Sequence, residues 1–263
     1  MVQFCNSPTH KGIRWAIAII LITVIVITAG CSREPENAFT IALTGKYPPF
    51  SFPDSEGRLV GFDVDVSRAI AKRVGKKLDI VRTEWDGILA GLLAGKYDAI
   101  IGSMAITPER AKNVNFSEPY YVSGAQLFVH RNNKWKISSI KDCKGKPIGV
   151  GLGETYEHYL RNNYPEVQVV TYKSTPDIFQ DMKTGRLVGF VTDRLVGAWN
   201  IKKHHRPFIP VGKLLYEERM GIPVKKDRPE LLKQINAALR DMKSSGELDR
   251  LFEGWFGLEE QAQ

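Results

Sequence analysis

Cysteine is scarce in this chain of 263 residues, which carries three: Cys5, Cys31 and Cys143. Neither they nor the five histidines, His10, His130, His158, His204 and His205, fall at metal-ligand spacing, so no metal site is expected. The pair Gly151-Leu152-Gly153 lacks the third glycine of a dinucleotide fingerprint and the lysine of a P-loop. Both nucleotide readings are therefore excluded, and no cofactor is expected. Also missing is an apolar run of about 20 residues, the length that crosses a bilayer as a helix. The formal net charge is +8, yet there is no basic helix and no alternation of aromatic and basic residues. Nucleic acid is not an expected partner.

The N-terminal stretch is the strongest positive signal. Lys11 and Arg14 precede an apolar run from Trp15 to Ile27, followed by Thr28-Ala29-Gly30-Cys31. A charged start, an apolar centre and small residues at a cleavage point make residues 1–30 an export signal peptide. The ending resembles a bacterial lipobox, in which Cys31 would be diacylated and become the mature N-terminus. An uncleaved single anchor is the alternative. In either case the rest of the chain works outside the cytoplasm. Residues 31–37 are polar, contain Pro35 and read as a tether. With Cys31 acylated, Cys143 has no disulfide partner, and its setting between Ile140 and Gly145 reads as a buried, inert thiol. About 230 residues remain, enough for two small domains or one large one. Loss of Lys11 and Arg14 still leaves them basic, which suits a solvated surface, acidic or amphoteric small ligands and an anionic envelope.

Beyond the tether, strand-like and helix-like segments alternate. Phe39–Leu43 reads as a strand, and Phe62, Val66, Ala69, Ile70 and Val74 repeat with helical period before Gly75. Leu78–Val81 reads as a strand, Ile88–Ala94 as a helix, and Tyr97–Gly102 as a buried strand. A second set follows: strand Pro147–Gly151, helix Glu154–Asn162, strand Gln168–Tyr172, helix Pro176–Lys183 and strand Leu187–Thr192. Helices Pro229–Lys243 and Glu247–Phe252 close the chain. This order predicts α/β layers with mostly parallel sheets. The segments around Gly95 and Gly185 echo one another: each glycine is suited to a left-handed helix cap and leads through a basic residue into an apolar strand. These strands end at Gly102-Ser103 and Thr192-Asp193, and ligands bind beyond the carboxyl ends of strands in open α/β sheets.

Two local motifs point to anion recognition. In Ile106-Thr107-Pro108-Glu109-Arg110, Thr107 is an N-cap, Pro108 fits the first helical position, and Arg110 projects from the first turn. A guanidinium there offers a fork to a carboxylate; a plain surface arginine is the alternative. Gly151-Leu152-Gly153-Glu154-Thr155 opens a helix and lets backbone N–H groups face an anion, or is simply a strand-to-helix turn. Tyr47, in Tyr47-Pro48-Pro49-Phe50, and Trp85 sit at strand ends, where aromatics enclose ligands, whereas Phe50 reads as core. His204-His205 reads as a solvent-facing basic loop.

Taken in order, Tyr47-Pro-Pro-Phe50, Gly61-Phe-Asp-Val-Asp65, Trp85-Asp-Gly87, Gly95-Lys-Tyr-Asp-Ala-Ile-Ile101, Ile106-Thr-Pro-Glu-Arg110, Phe116-Ser-Glu-Pro-Tyr120, Gly145-Lys-Pro-Ile-Gly149 and Trp255-Phe-Gly257 resemble family 3 extracellular solute-binding proteins. These are the polar amino acid receptors of ABC importers, and the resemblance covers residues 38–257. It implies a type II periplasmic-binding-protein fold: two α/β lobes, 38–124 with 214–263 and 125–213, joined by a hinge near Val122–Gly124 and Pro210–Lys213. It implies that Arg110 grips the ligand α-carboxylate with N–H groups near Ala105 and Thr155, and that Asp193 accepts the α-ammonium with carbonyls near Gly102 or Ser103. Tyr47 and Trp85 would enclose the side chain, and Thr44 and Glu154 would stand at selectivity positions. Two departures from the family pattern stand out: Val188 replaces an acid, and Glu154 stands where Ser or Thr is common.

The resemblance thus implies a non-enzymatic, monomeric, lipid-anchored protein of the cell envelope that hands an amino acid to an ABC permease. Basic side chains are expected ahead of glutamine, with acidic ones excluded. The rival function is a cyclohexadienyl or arogenate dehydratase-like enzyme on the same fold. A histidine-kinase sensor lobe or a lytic transglycosylase module is disfavoured because no further domain follows.

Overall fold

Alternating apolar segments find their partners in two separate five-stranded sheets in the computed structural model. It describes residues 37–133 and 136–257, together with Met1. The signal, Cys31 and nearly all of the tether lie outside the described residues.

The first sheet contains β1 (Ala38–Leu43), β4 (Lys77–Arg82), β5 (Ala99–Ile100), β6 (Val114–Phe116) and β12 (Pro223–Lys225), in the order β4-β1-β5-β12-β6. β1 pairs parallel with β4 and β5, whereas β12 runs antiparallel to β5 and β6. Short strands β2 (Phe52–Pro53) and β3 (Leu59–Val60) pair beside it. Its helices are α1 (Phe62–Arg73), α2 (Trp85–Leu93), the single turn α3 (Pro108–Ala111), α7 (Pro229–Ser244) and α8 (Glu247–Phe256). The second sheet contains β7 (Tyr121–His130), β8 (Pro147–Gly151), β9 (Gln168–Tyr172), β10 (Gly189–Asp193) and β11 (Phe208–Met220), in the order β11-β7-β10-β8-β9. Its helices are α4 (Thr155–Asn163), α5 (Thr175–Thr184) and α6 (Arg194–His204).

The local reasons are visible in the sequence. α1 carries Asp63 and Asp65 in its first turn and Lys72 and Arg73 in its last, matching the helix dipole. In α7, Ile235, Ala238, Leu239 and Met242 fall on one face and are buried. Gly95 and Gly185 both adopt positive φ, +73° and +76°, and Gly185 caps α5 as the echo predicts. Along β7, Ala125, Leu127 and Val129 enter one core while Phe128 enters another, so this strand is covered on both faces. Each fully buried Phe or Leu contributes about 1.5–3 kcal/mol, and Phe39, Leu43, Phe50, Phe62 and Phe190 are all wholly buried.

Several elements differ from expectation. The strand expected over Tyr97–Gly102 shortens to Ala99–Ile100, and the Tyr97 hydroxyl donates to the carbonyl of Ile88. The helix expected from Ile88 starts at Trp85, so Trp85 opens a helix instead of sitting on a loop. His204 closes α6 and His205 caps it with φ +48°, so the pair ends a helix. The sheets are mixed, since β7 runs antiparallel to both β10 and β11. The expected hinge segments are not opposite one another. Val122, Ser123 and Gly124 pair with Arg219, Glu218 and Glu217, while Pro210 and Val211 pair with Phe128 and Leu127. Cys143 is free, wholly buried and, through burial, pushed up to about 11, as an inert thiol should be.

Candidate functional site

Strand ends of both sheets deliver their residues to a single cleft of about 720 Å³, including its open mouth. Thr44, Tyr47, Trp85, Gly102, Ser103, Ala105, Arg110, Glu154 and Thr155 all line it. Asp193 does not; it lies behind that lining.

On the first-sheet side, Tyr47 stacks on buried Phe50 with ring centres 5.3 Å apart, which fixes its ring at the cleft. Ser103 follows β5 with φ +56°, a backbone state unusual for a residue with a side chain. Its N–H donates to the Tyr120 hydroxyl at 2.9 Å, and its own hydroxyl donates to Asp63 at 2.8 Å. Tyr120 in turn donates to the other Asp63 oxygen at 2.7 Å. Burial pushes the Asp63 carboxyl up to about 7, against the pull of these two hydrogen bonds. Thr107 caps α3 by accepting from the Arg110 N–H at 3.2 Å. The Arg110 guanidinium donates to the carbonyl of Ala105 at 3.0 Å and lies 5.6 Å from the Trp85 ring centre. Among the described residues it makes no ion pair. Half-buried, it carries a pKa lowered by burial, opposed by the charges of Glu218 and Glu154.

The second-sheet side holds a concentration of acids. Glu154 precedes α4, and its carboxyl folds back over Gly151, where a Cβ would stand 2.1 Å from the carboxyl carbon. Only glycine permits that approach. Burial, then repulsion from Glu218, pushes Glu154 up to about 7, against the pull of Arg110. The glycine turn is less open to an anion than its pattern suggests: the Gly153 N–H donates to Glu157 at 2.8 Å. Thr155 donates its hydroxyl to Glu218. Glu218 is 6% exposed, its second oxygen has no partner, and burial raises its pKa. One oxygen of Asp193 accepts from Ser123 at 2.6 Å and from the N–H of Leu195 at 2.7 Å, so it caps α6. The other is buried without a partner, and burial pushes the group up to about 7. Tyr156 also lines the cleft. At the mouth, Lys46 pairs with Glu84, and Asp86 and Lys173 stand nearby. The Trp85 indole N–H reaches the carbonyl of Gly153 at 3.4 Å, spanning the cleft.

Glu218 is the functional group that motif reasoning misses. It sits in the charged run Glu217-Glu218-Arg219, which reads as a solvated face; only strand alternation buries Glu218 while Glu217 and Arg219 stay exposed. Among the described residues no cluster of His, Cys, Asp and Glu is arranged to hold a metal ion, and no helix is long and apolar enough to cross a membrane.

Two α/β sheets sharing a cleft at their strand ends, with the chain crossing between them more than once, define a two-lobed type II periplasmic-binding-protein fold. The chain belongs to the bacterial extracellular solute-binding proteins, family 3, whose model matches residues 39–258. It is 38% identical over 224 residues to the L-cystine-binding protein TcyJ of Escherichia coli, covering 85% of this chain and 84% of that one. An ancestral arginine-binding protein bound to arginine superposes with a TM-score of 0.81 at 38% identity, covering 85% and 100% of the two chains. The ancestral amino acid-binding protein AncCDT-1, a precursor of cyclohexadienyl dehydratase, superposes with a TM-score of 0.79 at 36% identity, covering 84% and 96%.

Proposed function

We propose that the protein captures a polar amino acid in this cleft and delivers it to an ABC importer, held at the outer face of the cytoplasmic membrane by lipid on Cys31. The observation that carries this is Arg110: an arginine without an ion pair among the described residues, oriented by Ala105 and Thr107, facing acids across one cavity. A zwitterion withdrawn from water loses several kcal/mol of hydration per charge unless both ends are matched. Arg110 supplies the pole for the α-carboxylate, and the unpartnered oxygen of Asp193 supplies the pole for the α-ammonium once Tyr47 yields access. The pairing of Tyr121–Gly124 with Glu217–Met220 supports a hinge where the chain passes between the two sheets at these segments. Carrying Arg110 on one lobe and Asp193 on the other makes closure depend on the ligand.

The lining acids set the ligand class. Glu154 faces the cleft and penalises Glu or Asp, so a basic amino acid ranks ahead of glutamine. The ligands in the names of the relatives, cystine and arginine, both carry a second basic nitrogen centre. One observation favours a second reading: Glu154, lining the cleft and pushed up to about 7, is suited to general-acid work in a dehydratase. Incubation with prephenate or arogenate, followed by product absorbance, separates the two.

The test is a thermal-shift screen of the purified protein against the proteinogenic amino acids and cystine. A ligand at a hundred times its Kd adds about 2.7 kcal/mol of stability. Stabilisation by arginine, lysine or cystine is expected. Stabilisation by glutamate with these silent would show the charge assignment to be wrong, and silence of every amino acid would sink the reading.

A further inference from the structure

Within the cleft the fixed charges do not balance. An α-amino acid head needs one cation and one anion. Arg110 and Asp193 provide them, which leaves Glu154 and Glu218 in the same lining without a counter-charge. Lys46 is exposed at the mouth and already paired with Glu84, and Lys173 is exposed there as well. Glu218 lines the cavity, is nine-tenths buried and is anchored through one oxygen by Thr155, and among the described residues its second, buried oxygen has no partner.

We propose that Glu154 and Glu218 act as one acid pair, which receives a second cationic group of the ligand and gives up a proton as that group enters. The group is a guanidinium, a side-chain ammonium or a second α-ammonium. The inference rests on the amino-acid reading of this cleft and adds the charge state in which the cleft waits.

The groups that face the pair come from every element around it. Arg110 on α3 favours ionisation of both acids. Thr155 on α4 donates its hydroxyl to Glu218, and the hydroxyls of Tyr156 on α4 and Tyr216 on β11 stand near it. Asp193 at the end of β10 adds repulsion to Glu154. Tyr47, from the loop after β1, feels Glu154 and Asp193. Burial raises both glutamates, and the Glu218 charge raises Glu154 further. Two carboxylates in one desolvated site beside a single arginine titrate as a pair, and the pair loses a proton near pH 7. A ligand cation supplies the missing charge, the pair ionises fully, and the proton passes to solvent. Affinity for a cationic ligand therefore rises with pH, with a slope equal to the number of protons released.

L-Arginine and L-citrulline decide the matter, since they share a shape and differ by one charge. Asp193 meets the α-ammonium of either, so its titration cancels in the comparison. Calorimetric titration of the purified protein at pH 6, 7 and 8, in phosphate and in Tris, reads both affinity and proton release. The arginine-to-citrulline affinity ratio should rise about tenfold from pH 6 to pH 8, with about half an extra proton released at pH 7 for arginine. Glu218→Gln and Glu154→Gln should each flatten that rise, because the remaining carboxyl then ionises alone. A ratio independent of pH in the unmodified protein overturns the proposal, whatever the variants do. So does an undiminished rise in both variants. Binding of glutamine or glutamate with arginine, lysine and cystine silent also overturns it, while leaving the amino-acid reading in place.

Discussion

Replacing Arg110 by alanine tests the site most directly. In the structure its guanidinium has one protein partner, the Ala105 carbonyl at 3.0 Å, and otherwise faces the cleft. Its remaining donors are therefore free for a ligand carboxylate, which takes two parallel charge-assisted hydrogen bonds from such a fork. Each is worth about 1.5–3 kcal/mol, and removing one partner of a desolvated charge pair costs about 3–5 kcal/mol. The expected loss in affinity is thus on the order of a hundredfold to a few thousandfold. The fold should survive, since Arg110 is half-buried and α3 is a single turn whose cap, Thr107, binds the backbone N–H. Arg110→Lys should recover little, because an ammonium cannot reproduce the fork. Calorimetry with the ligand found by thermal shift, alongside circular dichroism of each variant, measures both quantities. An alanine variant that binds within threefold of the unmodified protein would refute Arg110 as the anchor.

Two further outcomes concern stability. Asp63, Asp193 and Glu154 are each pushed up to about 7 by burial, so between roughly pH 4 and 7 the folded chain binds more protons than the unfolded one. The stability these three groups contribute without ligand should therefore be fullest below about pH 4 and be lost as pH rises to 7; a melting temperature higher at pH 7.5 than at pH 5 would contradict this. Gly61→Ala should destabilise by more than about 1 kcal/mol, since φ is +136° there and a Cβ would sit 2.2 Å from the Phe50 carbonyl oxygen. Urea unfolding measures it, and an unchanged midpoint would count against the tight approach of the Tyr47 loop to α1.

Helices α1, α2, α4, α5, α7 and α8 and strands β1, β4, β8, β9 and β10 were legible because their apolar spacing is unbroken and several of their ends carry glycine or proline, as at Gly75, Gly185 and Pro229. The two longest strands were not. β7 holds Ser123-Gly124-Ala125-Gln126 in its middle, small and polar residues that read as a loop but are almost all buried between layers. β11 mixes exposed and half-buried residues along its length and includes Pro210 and Gly212, with its register shifting between Val211 and Tyr216. The motif residues of the site were visible as single letters with known chemistry. Glu218 and the Asp63 network were not, since their meaning depends on which face of a strand or helix is turned inward.

The left-handed turn at Ser103 has a consequence for the speed and sharpness of recognition. A non-glycine residue in that state carries about 1–3 kcal/mol of backbone strain, and here Tyr120 and Asp63 hold it through three hydrogen bonds buried beneath the cleft. The disorder that a free loop would surrender on meeting its ligand has already been given up when the chain folds. The floor of the cleft thus meets an arriving molecule as a finished template, and what remains to be ordered is the other wall.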